Sequence, residues 1–488
     1  MPDFRFSRPL LAAAMAGSAL LAGCATVPDL GAKPVTRAPA DYAAERSLTA
    51  APDATWPAER WWAAYGDPQL DTLITEALAG SPDLAAAAAR LRRARGITQQ
   101  AGAARSPRVD LDANAALAKQ SYNNYIPADF LPRGWNDTGQ VALNLGFDLD
   151  LWGRNRAALR AATSEAEAAR IEVAEAALAL STNIADAYAE LSRLHAERAV
   201  QAEALSVRER TRGLVVDRVA AGLDTRAEQK QADAGVPAAR AELAAIDERI
   251  ALTRNRIAAL IGAGPDRGLS ITPPAASVRA RGLPAGVTTD LIGRRPDIAA
   301  ARARVEAAAS RIKVARADFY PAVSLGALIG LQSFGLGQLI DRGSTFGQVG
   351  PAVSLPIFRG GELQGRYRGA RAEYDEAVAL YDRAVADAYR EVADAVTSRR
   401  ALDTRLAEQR EALSDSEQAY AVARQRFEGG LSTFLDVLTA EDRALGARRT
   451  VADLDARAFA LDVALVRALG GGFSAPAMTD FSKDDPRG

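Results

Sequence analysis

Two segments lying 208 residues apart share one pattern, and that repetition constrains the fold more than any other feature of the chain. Arg426-Phe-Glu-Gly-Gly430-Leu431-Ser-Thr433-Phe-Leu-Asp436 answers Arg218-Val-Ala-Ala-Gly222-Leu223-Asp-Thr225-Arg-Ala-Glu228, with Arg, Gly, Leu and Thr at matching places. In each, a helical pattern stops on a Gly, which enters left-handed backbone freely, and a new helix starts behind a Ser, Thr or Asp cap. A second set of positions agrees at an offset of 214: Ser81-Pro82-Asp83-Leu84 with Arg295-Pro296-Asp297-Ile298, Arg90 with Arg304, Pro107 with Pro321, and Leu111 with Leu325. The chain reads as a duplication, so its 488 residues describe two interleaved copies of one unit.

Within each copy the hydrophobic period switches between 3.6 and 2. Val109, Leu111, Ala113, Ala115 and Leu117 alternate with a mostly polar set, and Val141, Leu143, Leu145, Phe147 and Leu149 do the same beyond a loop carrying Tyr122, Tyr125, Phe130 and Trp135. The second copy repeats this with Val323, Leu325, Ala327, Ile329 and Leu331, then Val349, Pro351, Val353 and Leu355. These are hairpins with one apolar and one polar face. Strands are expected at about 108–118, 139–150, 321–332 and 346–357, each long enough to cross a bilayer at a tilt.

Around them run helical patterns of unusual length. Residues 154–212 and 361–427 would reach roughly 90 and 100 Å at about 1.5 Å per residue. Shorter patterns at 83–105 and 227–262, and at 297–319 and 434–470, add up to partners of similar length. Tyr374, Val378, Tyr381, Val385, Ala388 and Val392 form a heptad stripe. Elsewhere the apolar positions are mostly Ala on more than one face, which suits a helix with a neighbour on each side. The repeats are bounded as 61–262 and 296–470, with an irregular connector at 263–295 rich in Pro and Gly and a flexible tail at 471–488.

Residues 1–23 read as an export signal: Arg5 and Arg8 precede an apolar run from Leu10 to Leu21 that is too short to span a bilayer as a helix. Leu21-Ala22-Gly23-Cys24 resembles the lipobox of bacterial lipoproteins, which implies N-acyl and S-diacylglycerol groups on Cys24, the chain's only Cys. Ala25, in place of Asp, fits sorting to the outer membrane. The alternative is cleavage by the ordinary signal peptidase. Residues 24–60 are expected to form an extended arm.

Net charge is −1 without a basic block, which excludes a nucleic-acid footprint. One His, one Cys and three Met offer neither a metal site nor a nucleophile–base pair, so no cofactor, no metal and no enzyme activity are expected. His195, flanked by Arg193, Glu197 and Arg198, reads as a solvated helix residue.

Leu283-Pro284, Asp290-Leu-Ile-Gly-Arg294-Arg295-Pro296-Asp297-Ile298 and Ala317-Asp-Phe-Tyr320-Pro321 together resemble the signature of TolC-like outer-membrane efflux channels, in the lipoprotein (NodT-type) branch that serves resistance-nodulation-division pumps. The resemblance implies a mainly α fold with a transmembrane β-barrel: a homotrimer, four strands per protomer in one 12-stranded barrel, continued by a periplasmic helical tunnel. It also implies contact with outer membrane lipid, a periplasmic membrane-fusion adaptor at the tips Gly222, Leu223, Gly430 and Leu431, and an inner-membrane transporter. Asp436 and Glu228 fall where the family carries acidic gate residues. Thr439 and Ser432 depart from the best-known pattern, so the closed end is expected to be held either more weakly or by Arg226, Arg424 or Arg426. A purely local role at a helix N-terminus is the alternative for both acids. The expected function is passive conduction of drugs or other toxic small molecules. The alternatives are metal export, type I protein secretion, or a coiled-coil envelope lipoprotein without a pore.

Overall fold

The computed structural model describes residues 26–49, 54–123, 127–275 and 283–474. The signal segment, Cys24, Tyr125 and most of the expected flexible tail lie outside the described residues. After a 3-10 turn at Trp61–Tyr65 come α1 (Pro68–Gly80), α2 (Pro82–Ala103), β1 (Arg108–Ala118), β2 (Asn136–Asp148), α3 (Arg154–Ala220) and α4 (Arg226–Ile261). Two short helices follow, α5 (Pro265–Leu269) and α6 (Val287–Arg294). Then come α7 (Pro296–Ala317), β3 (Ala322–Phe334), β4 (Thr345–Ser354), α8 (Glu362–Glu428) and α9 (Phe434–Ala468). A short helix, two strands, a long helix and a helix thus occur twice in the same order.

Several boundaries differ from expectation, each for a local reason. The first long helix does not stop at Gly213 but runs to Ala220, so both long helices have 67 residues, beside partners of 22 and 36 and of 22 and 35. Gly213 sits inside the helix, whereas Gly222 has φ +74°, the left-handed cap that ends it. β2 ends at Asp148 rather than 150 because Asp150 turns left-handed at φ 46° and its carboxylate caps the N–H groups of Asn155 and Arg156 at 2.8 and 3.0 Å. β4 ends at Ser354, just ahead of Pro356, which cannot donate to a ladder. The connector is not wholly irregular, since it contains α5 and α6. The arm carries a 3-10 turn at Pro39–Tyr42.

Two compact units share the chain. One comprises residues 26–36, Leu91–Ala168 and Ala301–Tyr381, and it contains the sheet. The other comprises Arg37–Arg90, Ala169–Ala300 and residues 382–474. Its core packs Trp61, Trp62, Tyr65, Leu70, Leu73 and Ile74 against Ile184, Tyr188, Leu191, Ile246, Ile257 and Val463. Two polar pairs are buried in it, the Tyr65 hydroxyl donating to Asp462 at 2.6 Å and the Tyr188 hydroxyl to Asp67 at 2.6 Å. On the expected stripe, Val378, Tyr381, Val385, Ala388 and Val392 are all buried. His195 is half-buried rather than solvated: its Nε2 is buried without a partner, and burial, with Arg254 and Arg198 nearby, lowers its pKa.

Candidate channel-forming site

The four strands pair in sequence order, all antiparallel, and the register puts every apolar set on one face. Leu111, Leu143, Ile329 and Gly347 form one cross-strand row, and Val109, Leu145, Ala327 and Val349 the next. No core covers this face: Leu111 is 68% exposed, Ile329 66% and Val349 75%. An uncovered apolar face of this extent is a surface made for lipid. The opposite face carries Asp110, Asp112, Asn114, Gln140, Asn144, Gln332 and Gln348, and Asn144 donates to Asp112 at 2.6 Å. One row there is Gly146–Gly326–Gly350, which removes three side chains at a single level and lets the sheet curl toward that side. Exposed aromatics flank the strands at both ends, Phe130, Trp135 and Phe334 at one and Trp152 and Phe358 at the other, as interfacial girdles do. Among the described residues, no helix is long and apolar enough to cross a membrane.

The two helical turns share a geometry that the repeated sequence encodes. The Leu223 N–H donates to the Arg218 carbonyl at 2.8 Å, and the Leu431 N–H to that of Arg426 at 2.7 Å, while Gly222 and Gly430 take φ +74° and +71°. This hydrogen bond closes each helix, and a side chain at either Gly would strain it. Thr225 and Thr433 then cap α4 and α9 in reciprocal boxes. Each hydroxyl accepts the N–H of Glu228 or Asp436, at 3.3 and 3.4 Å, and each carboxylate accepts the threonine N–H, at 2.6 and 2.9 Å. Hydrogen bonds from the Thr433 backbone and hydroxyl hold the Asp436 carboxyl below the usual carboxylate range. Leu223, Leu431 and Leu435 remain exposed around these turns.

A family model described as outer membrane efflux protein matches residues 73–263 and 287–471, most of the chain and both sets of repeated elements. The chain belongs to the outer membrane efflux protein family. It is similar to fusaric acid resistance protein FusA of Burkholderia cepacia, 36% identical over 74% of this chain and 69% of FusA. It is also similar to multidrug resistance outer membrane protein MdtP of Escherichia coli, 30% identical over 98% of this chain and all of MdtP. Among solved structures, the outer membrane protein VceC of Vibrio cholerae aligns with a TM-score of 0.81 at 47% identity, covering 86% of this chain and all of that one. This efflux protein is a channel of the outer membrane, with the α-barrel and β-barrel fold of its structural neighbours.

In this efflux channel the four tip residues fall at the two helix turns, and the two acids fall three positions behind the capping threonines. Three arginines escaped the reading as holding elements. Arg218 pairs with Asp224 at 2.9 Å, donates to the Phe427 carbonyl at 3.1 Å, and lies 4.4 Å from the Phe427 ring. It therefore ties one turn to the other within the chain. Arg424, a candidate to hold the closed end, pairs with Glu428 of its own helix at 3.5 Å. Arg295, inside the family signature, reaches Asp297 at 2.6 Å, Glu391 at 2.6 Å and the Ala468 carbonyl at 3.1 Å. Burial opposes its charge, but the hydrogen bonds to Asp297 and Glu391 more than offset that and raise its pKa above the ordinary value. Arg371, also buried, donates to the carbonyls of Gly31 and Ala32, and Tyr374 to that of Pro34, so the N-terminal arm is strapped to α8.

Proposed function

We propose that three copies of this chain close into one 12-stranded barrel and carry small toxic molecules passively outward, fed by an inner-membrane resistance-nodulation-division transporter through a periplasmic adaptor. The observation that carries this is the open four-stranded sheet with one continuous apolar face. Lipid does not tolerate unpaired edges, so β4 of one copy must meet β1 of the next. The exposed leucines at the turns, Leu223, Leu431 and Leu435, offer an adaptor apolar contacts. Resistance to fusaric acid and to multiple drugs, in the names of relatives, supports small organic cargo. The protein catalyses nothing and uses no cofactor. Among the described residues no cluster of His, Cys, Asp or Glu could hold a metal, which fits organic cargo better than soft metal ions.

Discrete conductance steps are expected when the purified protein is added to a planar bilayer. A stable oligomer that inserts and gives no steps would leave the coiled-coil envelope lipoprotein as the better reading. Three-fold symmetry would gather Glu228 and Asp436 into six carboxylates near the periplasmic end. Their capping boxes favour a local role as well, and isosteric amides separate the two. Glu228→Gln with Asp436→Asn keeps acceptors for the threonine N–H groups while removing charge. Cation preference should fall, most at low ionic strength, with thermal stability little changed. Unaltered ion selectivity in that double variant would move the gate elsewhere.

The lipid on Cys24 is an anchor, while the strands do the spanning. Cys24→Ser should abolish labelling by a radioactive fatty acid yet leave the protein in the outer membrane. Release of the variant into the periplasm would count against spanning strands.

A further inference from the structure

The ends of β2, β3 and β4, where the strands give way to helices, enclose a cavity of about 170 Å³. That leaves room for a small polar group and not for a whole lipid. Its lining carries charges of both signs: Arg154, Arg359 and Arg366 against Asp148, Asp150 and Asp318. Several of these charges are poorly matched within the chain. Asp318 is shared by two guanidinium groups at long range, Arg154 at 3.7 Å and the Nη1 of Arg366 at 3.8 Å, while the Nη2 of Arg366 is paired with Glu362 at 2.5 Å. Arg359 meets Glu362 at 3.6 Å, beyond hydrogen-bonding distance. Asp148 accepts from the Asp150 N–H at 2.9 Å and the Asn155 amide at 3.2 Å, and no ion pair to it occurs among the described residues.

The surroundings say where such a ligand would come from. Phe358, next to Arg359 in the chain, is 87% exposed, and Ile357 54%. Trp152, which lines the cavity, donates to the Pro321 carbonyl at 2.7 Å and stacks on Tyr320 at 4.8 Å between ring centroids. Exposed apolar side chains and ordered aromatics beside a cavity of mixed charge, at one end of a lipid-facing sheet, suit a molecule with apolar tails and a dipolar head.

We propose that this cavity binds the head group of a zwitterionic phospholipid carrying a primary ammonium. Its phosphate would take donors of Arg359 and the Nη1 donors of Arg366, and its ammonium would donate to Asp148, with the acyl chains lying over Ile357 and Phe358. A simple anionic lipid would leave Asp148 without a cation, and a trimethylated head group would bring no N–H donor. The proposal rests on the reading of the sheet as membrane-embedded.

Native mass spectrometry of the detergent-purified full-length protein tests it, with phosphatidylethanolamine, phosphatidylglycerol and phosphatidylcholine added at equal concentration. Phosphatidylethanolamine should be retained at least several-fold over the other two. Arg359→Ala with Arg366→Ala should abolish that retention, and Asp148→Asn should reduce phosphatidylethanolamine to the level of phosphatidylglycerol. Soluble glycerophosphoethanolamine should fail to displace the lipid. Equal retention of all three lipids overturns the proposal, as does a double variant that still prefers phosphatidylethanolamine. Displacement by the soluble head group would overturn the assignment to lipid. Conductance in a planar bilayer, measured on the same samples, reports separately on the channel, so loss of lipid preference with intact conductance rejects this site alone. If the double variant fails to assemble, Asp148→Asn carries the test.

Discussion

Arginine in place of Leu143 should destabilise the membrane form by roughly 2–4 kcal/mol, the cost of a cationic side chain on the lipid face near mid-bilayer. Leu143 pairs with Leu111 on one side and Ile329 on the other, so the substitution breaks the middle of an apolar row. The neighbouring Asn144→Arg should be nearly neutral. That residue points to the polar face, where Asp112 already accepts a hydrogen bond from Asn144 at 2.6 Å and could take the guanidinium instead. Denaturant unfolding from lipid vesicles, compared for the two variants, gives the measurement. Equal destabilisation at both positions would mean the apolar face does not meet lipid, because a one-residue step in a strand exchanges the faces.

Replacing Arg295 with Met should cost about 3–5 kcal/mol, the usual price of stranding the partners of a buried charge. Its side chain is only 8% exposed, and it serves the start of α7 through Asp297, α8 through Glu391 and the end of α9 through the Ala468 carbonyl. The adjacent Arg294 supplies the control. It lies over the Trp56 ring at 4.5 Å, so Arg294→Ala should lose roughly 0.5–1 kcal/mol. Thermal or denaturant unfolding of the purified protein distinguishes the two. Similar small losses from both would show that the Arg295 cluster is not a fastening point.

The period-2 alternation told which residues share a face, and the register bears this out from Leu111 across to Val349. It could do so because alternation is local, requiring only neighbours along the chain. The capping threonines were legible for the same reason, their partners lying three residues on. The pattern read as far as 212 falls short of the helix end at Ala220, which the left-handed Gly222 closes as its place in the repeat suggests. The arginines were illegible for another reason. Arg295 finds Glu391 and Ala468 at separations of 96 and 173 residues, and Arg371 finds Ala32 at 339, so nothing nearby in sequence marks them as buried. Arg218 was visible as a repeated residue, but its hold on Phe427 spans 209 positions.

The two outer strands, β1 and β4, each pair on one side only, and this bears on how the protein can be made. Every unpaired N–H and C=O entering hydrocarbon carries a penalty of several kcal/mol. A lone chain therefore meets a barrier at the membrane surface that a gathering of chains does not. The long helices can form early from contacts close in sequence, while the sheet must wait for company. In the proposed trimer the next copy supplies each edge's partner, so insertion is expected to be collective, its rate rising more steeply than in proportion to the number of chains present.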